Sequence, residues 1–262
     1  MAEMYKQVLE KAGYTVNVNL VDTRDVYIKQ LESGGVDIAP EYVAGIADYL
    51  NTAANGPNAK STTTNDVTAS LAALKPLADQ VGITMLNPAK ATDQNAFAVT
   101  KACADKYHLT TLSDLAGLNA PLTLAAAPDC KGRSDCQGGL SSVYHLNILP
   151  KILPLGYDSP QTKDSVTKGE SQLGEVATTD GAAAEQGLVI LRDDKGIQPA
   201  QNLIPAMNTA FLKAHPDIAS VLNKLSATLT TQDLASLDKQ VDVDRVQASD
   251  AASTYLKNKG LI

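Results

Sequence analysis

The hydrophobic pattern of this chain switches period again and again, and that alternation constrains its fold more than any other feature. Met4, Tyr5, Val8, Leu9 and Ala12 recur at helical spacing and stop at Gly13. TVNVNLV, at 15–21, then alternates strictly, which is the pattern of a strand. DVYIKQLESGG returns to a helix that ends at a glycine pair, with Asp22 or Thr23 placed to cap its start. VDIAPEY (36–42) reads as a short strand, 43–51 as a helix, 51–64 as a polar surface loop and 65–81 as a helix. ITMLN (83–87) and NAFAVTK (95–101) are strands again.

The alternation resumes beyond residue 110. TLSDLAG (111–117) is a short helix, LTLAAA (122–127) a buried strand, and 139–147 a helix. DSVTKGESQLGEVATTD pairs a helix with a strand, VILRDD and NLIPAMN are strands, and the chain after 208 is helical, punctuated by Pro216. Strands that alternate with helices throughout define an α/β fold with mixed, mostly parallel sheets. A middle stretch sits between two segments that have to fold together. The expected layout is therefore two lobes, 1–98 with 204–262 and 99–203, joined by crossing strands around a ligand cleft. Open α/β sheets bind ligands at the carboxyl ends of their strands.

Composition excludes several classes of function. Hydrophobic residues make up 44% and charged residues 19% of 262, enough apolar content for a packed core and too much for disorder. With no Trp and two Phe, that core is built from Ala, Leu, Val and Ile, and nine Tyr are the main aromatic resource. A net charge of −7 argues against nucleic acid or anionic lipid as a partner. No apolar run approaches the roughly 20 residues needed to span a bilayer. The opening MAEMYKQVLEKAGYTV lacks the regions of an export signal, so the chain as given carries none.

The search for catalytic chemistry is negative. GxGxxG, Walker, HExxH and GxSxG patterns are absent. His108, His145 and His215 lie at or beside helix ends, where capping and surface roles suit them, and the TTD at 178–180 has no His near it in sequence. The expectation is a protein that is not an enzyme and uses no cofactor or metal. Cys130 and Cys136 flank the polar segment KGRSD, which looks like a small disulfide-closed loop; two reduced cysteines are the alternative, and a zinc site needs more ligands. A disulfide implies an oxidising setting. Cys103 is left over as a buried thiol.

Several strings belong together: AEMYKQVLEKAGY (2–14), DVYIKQLESGGVDIAPEY (25–42), TDQNAFAVTK (92–101), APDCKGRSDC (127–136), TTDGA (178–182), LRDDKGIQPAQN (191–202) and LSATLTTQDLASLDKQVDVD (225–244). In this order they resemble the osmoprotectant-binding proteins that serve importers of glycine betaine, choline or carnitine, over essentially the whole chain. The resemblance implies a type II periplasmic-binding-protein fold and an extracytoplasmic location, in the periplasm or on the outer face of the cell membrane. It implies a small-molecule ligand, and the permease and ATPase of an ABC importer as partners, with the membrane reached only through the transporter or a lipid anchor. A strand and a signal that precede the first helix in the family are expected to be missing here. The alternative is a sensing or permease-fused binding domain of a larger membrane protein.

The family cages its quaternary ammonium in Tyr rings and holds a ligand carboxylate with Arg. By position, Tyr42 matches the first cage ring, Arg133 the carboxylate-binding residue, and Thr178, Thr179 and Asp180 the loop beside another cage position. Gln94 and Asn95 fall at a lobe crossing, and Arg24 fixes its loop or reaches the ligand. Arg133 has an alternative role, pairing with Asp129 or Asp135, and Asp180 can cap a helix starting at Gly181. Ala177 and Ala200 stand where family rings are expected, so Tyr49, Tyr144 or Tyr157 would have to supply a second ring. The depleted cage implies weak betaine binding and a larger ligand carrying a carboxylate or several hydroxyls.

Overall fold

The computed structural model describes residues 1–21 and 23–262. The first helix forms where its apolar spacing places it: α1 (Ala2–Lys11) buries Met4, Tyr5, Val8 and Leu9. Gly13, with φ +97°, takes the left-handed turn that ends the segment. Residues 15–21 form no ladder among the described residues, contrary to the expected strand. Alternation makes a strand only where a neighbour pairs with it and one face is covered. Here Val16 packs on the core, while Val18, Leu20 and Val21 lie exposed. α2 (Arg24–Ser33) follows, and Gly34 at φ +79° closes it. Thr23 makes no side-chain cap there, and Asp22, the other candidate, lies outside the described residues.

β1 (Ile38–Tyr42), α3 (Val43–Asn55), α4 (Val67–Gln80) and β2 (Ile83–Met85) complete the first stretch. The chain then enters a second unit with β3 (Asn95–Thr100), α5 (Lys101–Tyr107), α6 (Leu112–Gly117), β4 (Pro121–Leu122) and β5 (Leu124–Ala126). α7 (Gln137–Ser142), β6 (Asn147–Ile148), β7 (Leu153–Pro154), α8 (Pro160–Thr167), β8 (Leu173–Ala177) and β9 (Leu188–Leu191) follow. It returns through β10 (Leu203–Asn208) to α9 (Thr209–Ala214), α10 (Asp217–Thr228), α11 (Thr231–Asp238), a π-helical turn at Lys239–Val243 and α12 (Ala248–Asn258).

The two units comprise 1–92 with 200–262, and 93–199. The crossings fall at 92/93 and 199/200 rather than 98/99 and 203/204. β3 pairs with both β8 and β9 and so belongs wholly to the second unit. Residues 200–202 are tied to the first: Ala44 N donates to Ala200 O, Val43 N to Asn202 O, and Asn202 bridges Thr92.

In the first unit, the sheet order is β1-β10-β2. β10 alternates across it: Leu203 and Met207 join the core built with α1, α10, α11 and α12, and Ile204 and Ala206 the core built with α2, α3 and α4. The second unit has the order β7-β5-β8-β3-β9. Phe97, Val99, Leu124, Leu173 and Leu191 face one core, and Ala96, Ala98 and Val176 another under Val166 of α8. Gly174 permits that approach, since a Cβ there would stand 2.7 Å from Val166 Cγ2.

The sheets are mixed, as expected, but antiparallel ladders prevail over parallel ones. β10 runs antiparallel to β1 and β2, and β3 antiparallel to β8 and β9. β5 is parallel to β7 and β8, and β4 to β6. A helix between two strands signals a crossover only if those strands become neighbours. β10 instead pairs with strands far away in sequence, and the alternation carries no information about their direction.

Candidate functional site

In the first unit the chemistry centres on an acidic residue at an inward strand position. Along β1, Ala39 and Glu41 point into the protein by the two-residue period. Glu41 is buried, 1% exposed. A carboxylate there is stable only if paired and hydrogen-bonded. Arg24, the first residue of α2, supplies a two-pronged contact: Nε donates to Oε1 at 2.7 Å and Nη2 to Oε2 at 3.0 Å. The Tyr27 hydroxyl donates to Oε1, and the Tyr42 N–H to Oε2 at 2.9 Å. Burial works against the charge of Arg24, yet the hydrogen bonds and charge of Glu41 prevail and raise its pKa above the ordinary value. Gly45 makes room for the guanidinium, because a Cβ there would come within 2.7 Å of Nη2. The same α3 start is held by Gln201, whose Oε1 accepts from Gly45 N. Tyr42 is half-buried at the end of β1, against the α1 core.

In the second unit, five of the eight ligand-contact candidates lie at the start of β3 and the end of β8, which are paired at Asn95 and Ala177, and a sixth, Arg133, joins them from the Cys130–Cys136 loop through Asp135. Gln94 N donates to Thr178 Oγ1, Thr178 N to Gln94 O, and Gln94 Nε2 to Pro199 O at 2.7 Å. Asn95 Nδ2 donates to Asp135 Oδ2 at 3.1 Å. Asp135 also takes Arg133 two-pronged, from Nε at 3.0 Å and Nη2 at 2.6 Å, and Asp129 takes Nη1 at 3.2 Å. Gln198, buried, fixes the Asp135 backbone carbonyl through Nε2 at 2.7 Å. Thr179 Oγ1 donates to Asp93.

Asp180 accepts from Ala182 N, but no helix starts at Gly181; residues 181–187 form successive turns, and the polar group is used as a turn lock. Its second oxygen takes Lys163 of α8 at 2.9 Å, and Lys163 also meets Asp158 at 3.1 Å. Burial first, then the charge of Asp180, holds the Asp158 carboxyl above its usual range, with Lys163 opposing.

Cys130 and Cys136 form the expected disulfide, fully buried, which closes the loop that carries Arg133 and Asp135. Glu175 lies close by with both sulfurs and its carboxylate within 4.8 Å. With both thiols consumed, that trio retains one carboxylate as a metal donor. Glu175 Oε2 accepts from Ala127 N, and Oε1 has no hydrogen-bond partner among the described residues.

Tyr144 is not an open ring. It is 1% exposed, and its hydroxyl donates to Asp193 and accepts from Lys195 N, which locks the 193–198 turn. Tyr49 is half-buried and Tyr157 exposed. Sequence reasoning missed Glu41, Tyr27, Gly45, Lys163, Glu175 and Gln198. The signal for Glu41 was there: an acid at an inward position of a strand demands a cation.

The chain is thus an α/β protein of two units, with polar side chains locked at strand ends. Residues 1–258 match the family described as the substrate binding domain of the ABC-type glycine betaine transport system. The chain belongs to that family, and it is the substrate-binding component of an ABC importer rather than a member of an enzyme family. It is 28% identical to the glycine betaine-binding protein YehZ of Escherichia coli K12, over 97% of this chain and 84% of that one. It is 25% identical to a glycine-betaine-binding protein of Pseudomonas aeruginosa, over 98% of this chain and 82% of that one. The structure of apo YehZ from E. coli superposes with a TM-score of 0.79 at 25% identity, covering 99% of this chain and 94% of that one. The family is extracytoplasmic, which agrees with the disulfide. Among the described residues no helix is long and apolar enough to cross a membrane.

Proposed function

We propose that the protein captures a small osmoprotectant of the glycine betaine, choline and carnitine class, in the periplasm or at the outer face of the cell membrane, and delivers it to the permease and ATPase of its importer. The match over residues 1–258 carries this reading. The residues assigned to the ligand are Arg24 and Tyr42 in the first unit and Gln94, Asn95, Arg133, Thr178, Thr179 and Asp180 in the second. Tyr42 offers a ring face to an ammonium group, worth about 0.5–2 kcal/mol. Support for the second-unit set is its pre-organisation: Gln94 is already fixed by the Pro199 carbonyl, and Asn95 and Arg133 by Asp135, so little ordering remains at binding.

A thermal-shift panel of glycine betaine, choline, carnitine, proline betaine and amino acids tests the reading. A ligand at 100 times its Kd adds about 2.7 kcal/mol of apparent stability. Stabilisation by a quaternary ammonium compound, reduced by Tyr42→Ala, is expected. Stabilisation by amino acids alone would overturn the assignment.

A further inference from the structure

Asn55 and Gly56 form the single Asn-Gly pair in the sequence, and the fold places it at the open end of a helix. Asn55 is the exposed last residue of α3, and Gly56, at φ +94° and ψ 165°, turns the chain out of it. A backbone nitrogen that follows an asparagine can attack that residue's Cγ, and glycine, with no Cβ, screens its own nitrogen least. A Cβ built at Gly56 would meet nothing within 4 Å, so neighbouring groups leave the peptide open. Gly56 N donates to Thr52 O at 2.9 Å, but this is the closing bond of the helix, on exposed residues, where helices fray.

The pair also supports a buried amide. Asn55 Nδ2 donates to Asn51 Oδ1 at 2.8 Å, and Asn51, 5% exposed, donates its own Nδ2 to Lys60 O at 2.9 Å. This relay fastens the loop after α3 back onto the helix. Asn51 offers donors on one side of its amide and an acceptor on the other. It satisfies both neighbours only while residue 55 donates and residue 60 accepts. A carboxylate at 55 has nothing to donate. Asn51 then sets its Oδ1 against that carboxylate, or turns over and sets it against Lys60 O. Either orientation loses one bond at a buried group. The new negative charge also falls in the last turn of α3, at the negative end of the helix dipole. Thr64 is held separately, by Ser70 of α4 and by Ala200 N, so the loosening stops there.

We infer that Asn55 is a site of spontaneous deamidation, and that the reaction unfastens residues 56–63. Gly56 N forms a bond to Asn55 Cγ, the bond from Cγ to Nδ2 breaks, and ammonia leaves with the backbone proton. Water then opens the cyclic imide at either carbonyl. The product is aspartate at 55, or its isomer with the main chain routed through Cβ, which lengthens the backbone and displaces the helix end as well. Water is the only co-reactant. The change accumulates with age and lies at the opposite end of α3 from Tyr42 and Gly45.

Ageing the full chain in mildly alkaline buffer tests the chemistry, and limited trypsin digestion tests its consequence. Peptide mapping by mass spectrometry is expected to show a gain of about one mass unit at Asn55 before any other asparagine changes. Trypsin cuts after Lys60, inside the fastened loop, and such cleavage follows the population of the opened form. Asn55→Asp is expected to be cut there about fivefold faster than fresh wild type. Asn51→Ala, which removes the relay without adding charge, is expected to be cut faster too. Asn55→Gln keeps an amide on a longer side chain that cyclises poorly, and is expected to gain no mass on ageing. An Asn55 that survives ageing while other asparagines react overturns the site. Cleavage after Lys60 at the wild-type rate in both Asn55→Asp and Asn51→Ala overturns the unfastening.

Discussion

Glu41 sits in the interior because four donors converge on its two oxygens: two from Arg24, one from Tyr27 and one from the Tyr42 backbone. The arrangement depends on a missing side chain. Gly45 has no Cβ, and one placed there would lie 2.7 Å from Arg24 Nη2. Arg24 cannot retreat without abandoning a buried carboxylate, so the clash is not relieved by the flexibility of its side chain. Gly45→Ala is expected to cost about 1–3 kcal/mol. Urea denaturation measures it, and the same substitution in an Arg24→Met/Glu41→Gln background is expected to be close to neutral. An equal cost in both backgrounds would assign the loss to helix α3 itself. The polar contacts of the candidate site were legible in sequence where residue type declares chemistry, as with Arg133 and its partners Asp129 and Asp135. They were not legible where a residue acts by being small, like Gly45, or by supporting another from a distance in sequence, like Gln198 beneath Asp135.

Between single residues and the whole chain, the strand-end loops of the second unit are held by a strut from a helix. Lys163 of α8 reaches Asp158, in the turn after β7, and Asp180, in the loop after β8. Lys163→Met would leave two carboxylates facing each other with little water to screen them. Because breaking a buried pair leaves an uncompensated charge, a loss of about 2–3 kcal/mol at neutral pH is expected, discounted for the partial exposure of Asp158. Its pH dependence follows from Asp158, whose folded pKa stands above its unfolded one through burial, then through Asp180. The unfolded chain gives up that proton first, so stability is greatest below the unfolded pKa and falls as pH rises through the folded one. Removing Lys163 raises the folded pKa further and widens that window. The deficit of the variant should therefore shrink as pH is lowered toward about 4. A deficit that is constant with pH would place the role of Lys163 in packing. Elements were read well where periodicity is a local matter, as in α1, α2 and α10. The reading failed at 15–21, where alternation has no paired neighbour, and at Gly181, where a capping acid precedes turns and not a helix.

At the scale of the molecule the chain makes two units from three stretches of sequence, with the middle stretch, 93–199, folding on its own sheet. Two-state bookkeeping is not guaranteed for such a protein, and local changes can be assigned to one unit. The disulfide lies entirely in the second unit, and the third cysteine, Cys103, is free and half-buried in the same unit. Thiol counting on denatured, unreduced protein is expected to find one reactive group of the three cysteines. Opening the loop between Cys130 and Cys136 restores chain entropy worth about 2 kcal/mol to the unfolded state of that unit. For a unit of this size that corresponds to a fall of about 10 °C in its melting temperature. Scanning calorimetry with and without a dithiol reductant measures it, and hydrogen exchange assigns each transition to its peptides. The transition of 93–199 should move, while that of 1–92 with 200–262, which contains no cysteine, should stay where it was. Equal displacement of both would mean that the units unfold as one body, with the loss of loop constraint shared across all 262 residues.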